Sequence, residues 1–216
     1  MAFDGADGVL AIWNDIRDGR TDEFEAWFKG EHFAERLAVP GFRLGRRYEA
    51  IAGAPRYFVF YLADTPGVLT SAAYLERLNN PTPLTRSVMT HGFVNMNRTV
   101  CRRRARFGAL WGAVCITARF DRALAPDRVM PWLERIAAEE GIARSELWSA
   151  EASGGEPAVE ERLRGGDRRI TACILIDALR EADAARAHAA LLGEFGDAAE
   201  TGVYRLLCEV TRSDGG

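Results

Sequence analysis

The sequence predicts an α+β fold in which one β-α-β-β-α-β unit is used twice, the two packing sheet to sheet as a pseudo-dimeric α/β barrel. Three observations predict it. The element order strand, helix, strand, strand, helix, strand can be read twice along the 216 residues. Trp27 and Trp132 hold equivalent places in the first helix of each reading, 105 residues apart. The runs "YFVFYL" and "TACILI" are apolar at odd and even positions alike, which marks strands buried on both faces. Helices on one side of such a unit cover one face only, so a second sheet is the natural cover for the other.

In the first unit, "GVLAIWNDI" (8–16) is a short apolar strand, and Thr21 is a helix N-cap before a segment reaching Ala38. Pro40 and Gly41 stop that helix. "FRLGRRYEA" (42–50) alternates as a strand, "GAP" turns the chain, and "RYFVFYLAD" (56–64) is the continuous apolar strand. A helix over 67–80 ends at Pro81, the stretch "PTPLTRSVMTHGF" reads as irregular, and "VNMNRTVCRRRARF" (94–107) closes the unit as a long strand. The second unit runs as strand 109–120, a helix from Pro126 to near Gly141, strand 143–151, a flexible "ASGGEP" tract, strand 168–179, helix 181–195 and strand 200–210. Each is the ferredoxin-like topology, with the boundary at 107/108 and no Pro/Gly/Ser-rich linker across it.

Composition narrows the partners. A net charge of −3, from 28 basic and 31 acidic residues, exerts no long-range pull on nucleic acid or anionic membrane. The basic run "CRRRARF" (101–107) is split by strand alternation and has no glycine-aromatic companion pattern, so it reads as a solvated edge or an Arg/Glu interface. Cys101, Cys115, Cys173 and Cys208 are far apart and show no CxxC spacing, as expected of buried free thiols in a reducing cytoplasm. The N-terminus lacks the pattern of a signal peptide and no apolar run approaches the roughly 20 residues of a membrane span. A cytoplasmic protein is the expectation.

The string "EFEAWFKGEHFAERLAVPGFRLGRRYEA" (23–50) resembles the dimeric α/β-barrel superfamily and is most similar to EthD-type proteins, in which an aromatic-rich first helix carries a His and "PG" leads into the second strand. The likeness extends over residues 8–64 and beyond them by topology alone. It implies a small hydrophobic pocket between sheet and helices, and chemistry on aromatic or polyketide-like molecules without metal. Relatives include cyclases, dehydratases, decarboxylases and cofactor-independent oxygenases, and some bind haem. Function must therefore be argued from the site.

On an ideal helix, Ala26, Trp27, Gly30, Phe33, Ala34 and Leu37 share one arc and would face the sheet. Phe24, Phe28, Glu31, His32 and Glu35 fall on the other side and are either a pocket wall or a solvated face with ordinary ion pairs. In the functional reading His32 is a general acid or base and Glu35, three residues on, orients it. Phe42, Leu44, Arg46 and Tyr48 share a strand face. If that face is inward, Arg46 is a buried cation needing a carboxylate, for which Glu31 or Glu35 is the candidate, or an anionic ligand. Tyr48, Tyr57 and Tyr61 supply hydroxyls that are either donors or packing groups. His91, in the stretch read as a loop, is a candidate for the pocket mouth, and His188 is structural or solvated. Counting 105 onward from Glu31 and His32 gives Ile136 and Ala137, so the constellation occurs once per chain.

The expectation is a protein that binds a small hydrophobic, aromatic or polyketide-like molecule and carries out metal-free acid/base chemistry with His32, Glu35 and Arg46. Phe28, Glu31, Tyr48, Tyr61 and His91 would contact the ligand, with no cofactor. A non-catalytic binding module is the alternative and a haem-binding oxygenase-like protein the third reading. The three His at 32, 91 and 188 have no metal-ligand spacing. No nucleic-acid or membrane partner is expected, and a homodimer beyond the intrachain pseudo-dimer is left open.

Overall fold

Eight antiparallel strands close on themselves in the order β1-β3-β2-β8-β5-β7-β6-β4, with β4 returning to β1. The computed structural model describes residues 5–152, 155–196 and 199–212; residues 153–154, in the tract read as flexible, lie outside these. The strands are β1 (Gly8–Ile16), β2 (Phe42–Gly53), β3 (Tyr57–Ala63), β4 (Phe93–Phe107), β5 (Val114–Phe120), β6 (Ile142–Ala150), β7 (Ala172–Ala178) and β8 (Glu200–Thr211). Helices α1 (Thr21–Trp27) and α2 (Phe33–Ala38), joined by a π-helical turn (Phe28–His32), lie between β1 and β2. A 3₁₀ turn (Pro66–Thr70), α3 (Ala72–Asn79) and α4 (Pro83–His91) lie between β3 and β4. In the other half α5 (Pro126–Ala137), α6 (Val159–Leu163) and α7 (Glu181–Phe195) alternate with strands. The first four strands stand as β4-β1-β3-β2 and the last four as β8-β5-β7-β6, with seams at β2·β8 and β4·β6.

All seven residues of β3 and all seven of β7 are buried, as their unbroken apolar runs require. One face of each looks into the barrel, which Trp13, Tyr48, Phe58, Phe60, Trp148 and Tyr204 fill as a packed core. Trp13 and Phe58 stack at 4.9 Å and Tyr48 and Phe58 at 5.5 Å. The outer faces carry the helices, over one apolar cluster in the first half and another in the second. Gly45 lets the first helix sit close on β2, since a Cβ there would meet the Phe33 ring at 2.6 Å.

The segment expected to be irregular after Pro81 is helical. Thr82 caps α4 by accepting from the Thr85 amide, with Pro83 in the first turn, a start signal that the cluster of prolines obscured. The basic run on β4 is consumed in ion pairs: Arg102 with Asp7 and Glu151, Arg103 with Glu146, and Arg104 with Glu151. No helix is long and apolar enough to cross a membrane among the described residues. The four cysteines are free, three buried and Cys208 partly so.

Arg46 and Tyr48 point into the barrel. Arg46 pairs with Asp177 (3.3 Å) and Glu209 (2.9 Å) and donates to the Gly112 carbonyl (2.7 Å), so neither Glu31 nor Glu35 is its carboxylate. Arg144 pairs with Glu146 (3.0 Å) and donates to the Ala109 and Leu110 carbonyls. Trp111, in the connection between β4 and β5, lies 3.4 Å from the Arg144 guanidinium carbon and 4.7 Å from that of Arg46. That connection therefore closes one end of the barrel over a buried charge cluster.

The segment between β6 and β7 reaches back to the first half. Arg36 of α2 and Glu160 of α6, 2% and 3% exposed, form a two-pronged pair at 2.6 and 2.7 Å. α6 packs on α3 and α4. Arg164 and Asp167 form a second buried pair at 2.6 Å.

Two outcomes follow from these buried charges. Burial outweighs Arg46 and Arg144 and pushes the Asp177 carboxyl up to about 7, against about 3.9 in an unfolded chain. The folded state thus holds an extra proton between those values, and stability falls as pH rises through about 7. Denaturant unfolding from about pH 4 to pH 8 should show the wild type losing roughly 2–4 kcal/mol relative to Asp177→Asn. Separately, Arg36→Met should lose roughly 3–5 kcal/mol by leaving Glu160 buried and unpaired. The double variant Arg36→Met/Glu160→Met should recover most of that in the same assay.

Candidate functional site

The first helix brings its chemistry together through the π turn. On a continuous α-helix the buried residues Phe24, Trp27, Phe28, His32, Phe33, Arg36 and Leu37 would wrap most of the circumference. One extra residue in the turn Phe28–His32 sets the following helix back by about 100°, and the two stripes merge into one sheet-facing side. This corrects the arc expected from ideal spacing: Ala26, Gly30 and Ala34 are exposed, while His32 is 6% exposed and faces the sheet.

His32 lies between aromatic rings. Its imidazole is 4.1 Å from the Trp27 ring, 4.9 Å from Phe28 and 6.1 Å from Tyr61, centroid to centroid. Trp27 is itself fixed by donating from Nε1 to Thr85 Oγ1 at 2.9 Å. The His32 Nδ1 is enclosed without a partner, and neither ring nitrogen has a hydrogen bond among the described residues. Burial, then the charges of Arg36, Arg47, Arg164 and Arg98, hold its pKa well below the usual imidazole value, so it is neutral at physiological pH. The Tyr61 hydroxyl is also buried without a partner, and burial pushes its pKa well above the ordinary phenol value.

Beside His32 is a narrow slot, partly open to solvent, with a cavity volume of about 30 Å³. Leu10, Ile12 and Val59 of the sheet form its floor, Trp27, Phe28, Tyr74 and Phe93 its aromatic walls, and Leu78, Met89 and Met96 further apolar surface. Its polar lining is His32, Asn14, Arg36, Arg98, Glu160 and Arg164. The site is thus an apolar slot with a few convergent polar groups, the usual composition of a small-molecule site.

The structure joins only part of the constellation expected from sequence. His32 and Phe28 line the cavity, and Tyr61 packs against His32. Arg46 and Tyr48 are on the opposite face of the sheet, inside the barrel, because residues of even number on β2 point inward there. Glu35 makes no hydrogen bond to His32 among the described residues; its nearest cation is Arg36 Nη1 at 3.8 Å, and burial raises its pKa. Glu31 accepts from Thr82 Oγ1 at 2.6 Å and ties the π turn to the start of α4. His91 is exposed at the end of α4, not on a loop, and is outside the cavity lining. His188 bonds Thr201 at 3.0 Å.

Six polar lining residues escaped the sequence reading as site members: Asn14, Arg36, Tyr74, Arg98, Glu160 and Arg164. A signal existed for Arg98, since strand alternation places it between Met96 and Val100 on one face. Nothing local connects Glu160 to Arg36, 124 residues earlier.

No group of three or more His, Cys, Asp or Glu is placed to hold a metal ion among the described residues. The slot does not fit haem: His32 is the one imidazole lining it, and the space beside that ring is too narrow for a porphyrin.

No protein-family model and no curated protein matches the sequence. Solved structures do match in shape. An anthrone oxidase-like protein superposes with a TM-score of 0.64 at 8% identity, covering 99% of this chain and 96% of the other. A candidate monooxygenase from Fusobacterium nucleatum subsp. nucleatum gives 0.60 at 8% identity, covering 98% and 96%. A candidate chlorite dismutase gives 0.58 at 12% identity, covering 94% and 95%. At these identities the likeness establishes the fold, a ferredoxin-like α/β barrel shared along nearly the whole chain, and nothing finer.

Proposed function

We propose that this chain binds a small, flat, hydrophobic molecule of aromatic or polyketide type in the slot beside His32, and that His32 exchanges a proton with it. The observation behind this reading is the cavity itself: an aromatic-walled space in which a neutral imidazole has no protein partner. A ligand hydroxyl or enol in the slot would hydrogen-bond to Nε2, while the enclosed Nδ1 keeps the ring proton. Nε2 is the ring nitrogen left accessible, and a proton passing to it from the ligand leaves a ligand oxyanion. The surrounding guanidinium groups favour that anion, as they disfavour a lone imidazolium. The names of the structural neighbours, an anthrone oxidase-like protein and a candidate monooxygenase, are compatible with such a ligand.

The same reading takes residues 1–107 and 108–216 as two ferredoxin-like units forming a pseudo-dimer within one chain, with an EthD-like first unit. The matching strand orders of the two halves support it. A purely binding role is the second reading, favoured by the low basicity of His32 and by the absence of Glu35 from its hydrogen bonds.

Ligand occupancy is tested by titrating the protein with 2-naphthol and following Trp fluorescence, since Trp27 lines the slot. Saturable binding is expected, weakened at least about tenfold by the slot-filling substitution Leu78→Trp; unsaturable quenching in both proteins would sink the proposal. The state of His32 has its own readout. A folded-state pKa held low means that the unfolded chain takes up a proton first, so stability present above about pH 6.5 is lost as pH falls. Unfolding titrations should show His32→Phe shedding that loss, which amounts to as much as about 1.4 kcal/mol per pH unit below the unfolded value.

A further inference from the structure

The guanidinium groups around the slot are not equally paired. Three guanidinium groups line it, from Arg36, Arg98 and Arg164. Arg36 is matched by Glu160 through two short bonds, and Arg164 by Asp167 through two more, with Asp167 fully buried. Arg98 has no such match. Its Nη2 donates to the Tyr74 hydroxyl at 2.9 Å and its guanidinium carbon is 5.9 Å from the Tyr74 ring centroid. No carboxylate is within ion-pair distance of it among the described residues. Tyr74 is held between Arg98 and Arg36, whose guanidinium carbon lies 5.7 Å from the same ring. The remaining titratable group on the slot, His32, is neutral. Arg98 is thus the slot guanidinium without an ion pair of its own among the described residues, with Asp167 and Glu160 acting on it from beyond bonding distance.

A guanidinium withdrawn from water without a counter-charge is expensive, and an anion delivered by a ligand removes that cost. Arg98 comes from β4 directly opposite Ile12 of β1, and Ile12 also lines the slot. The anion would thus be met at the sheet, while the ring system lies among Trp27, Phe28, Tyr74 and Phe93. We propose that Arg98 is the anchor for an acidic oxygen on the ligand, so that the class of molecule bound is a flat arene bearing a carboxylate or phenolate-type group. The inference rests on the slot being a ligand site, and it adds the charge and the residue that reads it.

Three probes of one ring size separate the two ideas: naphthalene, 2-naphthol and 2-naphthoate, titrated at pH 7 by Trp fluorescence and checked by thermal shift. The anchor predicts that 2-naphthoate binds at least about tenfold tighter than naphthalene. Arg98→Met should bring 2-naphthoate down to the naphthalene affinity and leave naphthalene unchanged. Naphthalene and 2-naphthoate binding the wild type equally well would overturn the anchor while leaving the slot a ligand site. Failure of all three to bind would overturn both. The wild-type ratio is decisive even where Arg98→Met does not fold. If that variant folds and keeps the ratio, the charge is read by another residue and Arg98 is not the anchor.

Discussion

The buried pair between Arg36 and Glu160 is the contact on which the site depends. The pair is 2–3% exposed, and its two bonds of 2.6 and 2.7 Å both run from Arg36 Nη2, one to each Glu160 oxygen, so removing either partner would leave a buried charge uncompensated. Its partners come from the first helix region and from the α6 segment inserted in the second half. The chain therefore closes its cavity with a piece of its own far sequence. α6 lies over α3 and α4, and its neighbour Arg164 completes the wall. The low basicity of His32 follows from the same closure, because burial is its largest cause and Arg36 the next.

The second half shows what the same architecture does without that device. There α5 continues as a regular helix, Ile136 and Trp132 are buried, and Trp132 packs on Phe195 at 5.1 Å. The space between helix and sheet is filled by an apolar cluster. In the first half the π turn rotates His32 and Arg36 under the helix, polar groups replace the aliphatic ones, and a slot remains. A local change of helix pitch and a distant insertion thus act together to convert packing surface into a site.

How much of this was legible in the sequence divides along the same line. Strand order, the doubly buried β3 and β7 and the long α7 are written in short-range periodicity, and their bounds differ from expectation by a few residues. The site was only partly legible. His32 and Phe28 stood out by residue type, but the ideal 100° spacing separated Trp27 from His32, and no local signal announced the π turn. Arg46 and Tyr48 were grouped with His32 because they share an inward strand face. A closed sheet has two insides, however: Arg46 and Tyr48 took the barrel interior, and His32 the helix side. Glu160 and Arg164 sit in a charged stretch whose destination is set by tertiary contacts alone.

The two faces of the sheet handle buried charge in opposite ways, and that difference locates the chemistry. Inside the barrel, Arg46, Arg103 and Arg144 are met by Asp177, Glu146 and Glu209, and the aromatic core around them is packed. Each of those cations has a carboxylate within ion-pair distance. On the outer face of the first half, Arg36 is met by Glu160 and, at 3.8 Å, by Glu35, Arg164 is met by Asp167, and Arg98 bonds the Tyr74 hydroxyl with no ion pair of its own among the described residues. Arg98 adjoins the slot and shares it with the imidazole that lacks a partner. In a medium of low dielectric an unmatched charge beside a void is a standing free-energy cost, and a fold retains one where something else arrives to satisfy it. The cavity beside His32, rather than the charge cluster in the barrel, is therefore the place that the proposal assigns to a ligand.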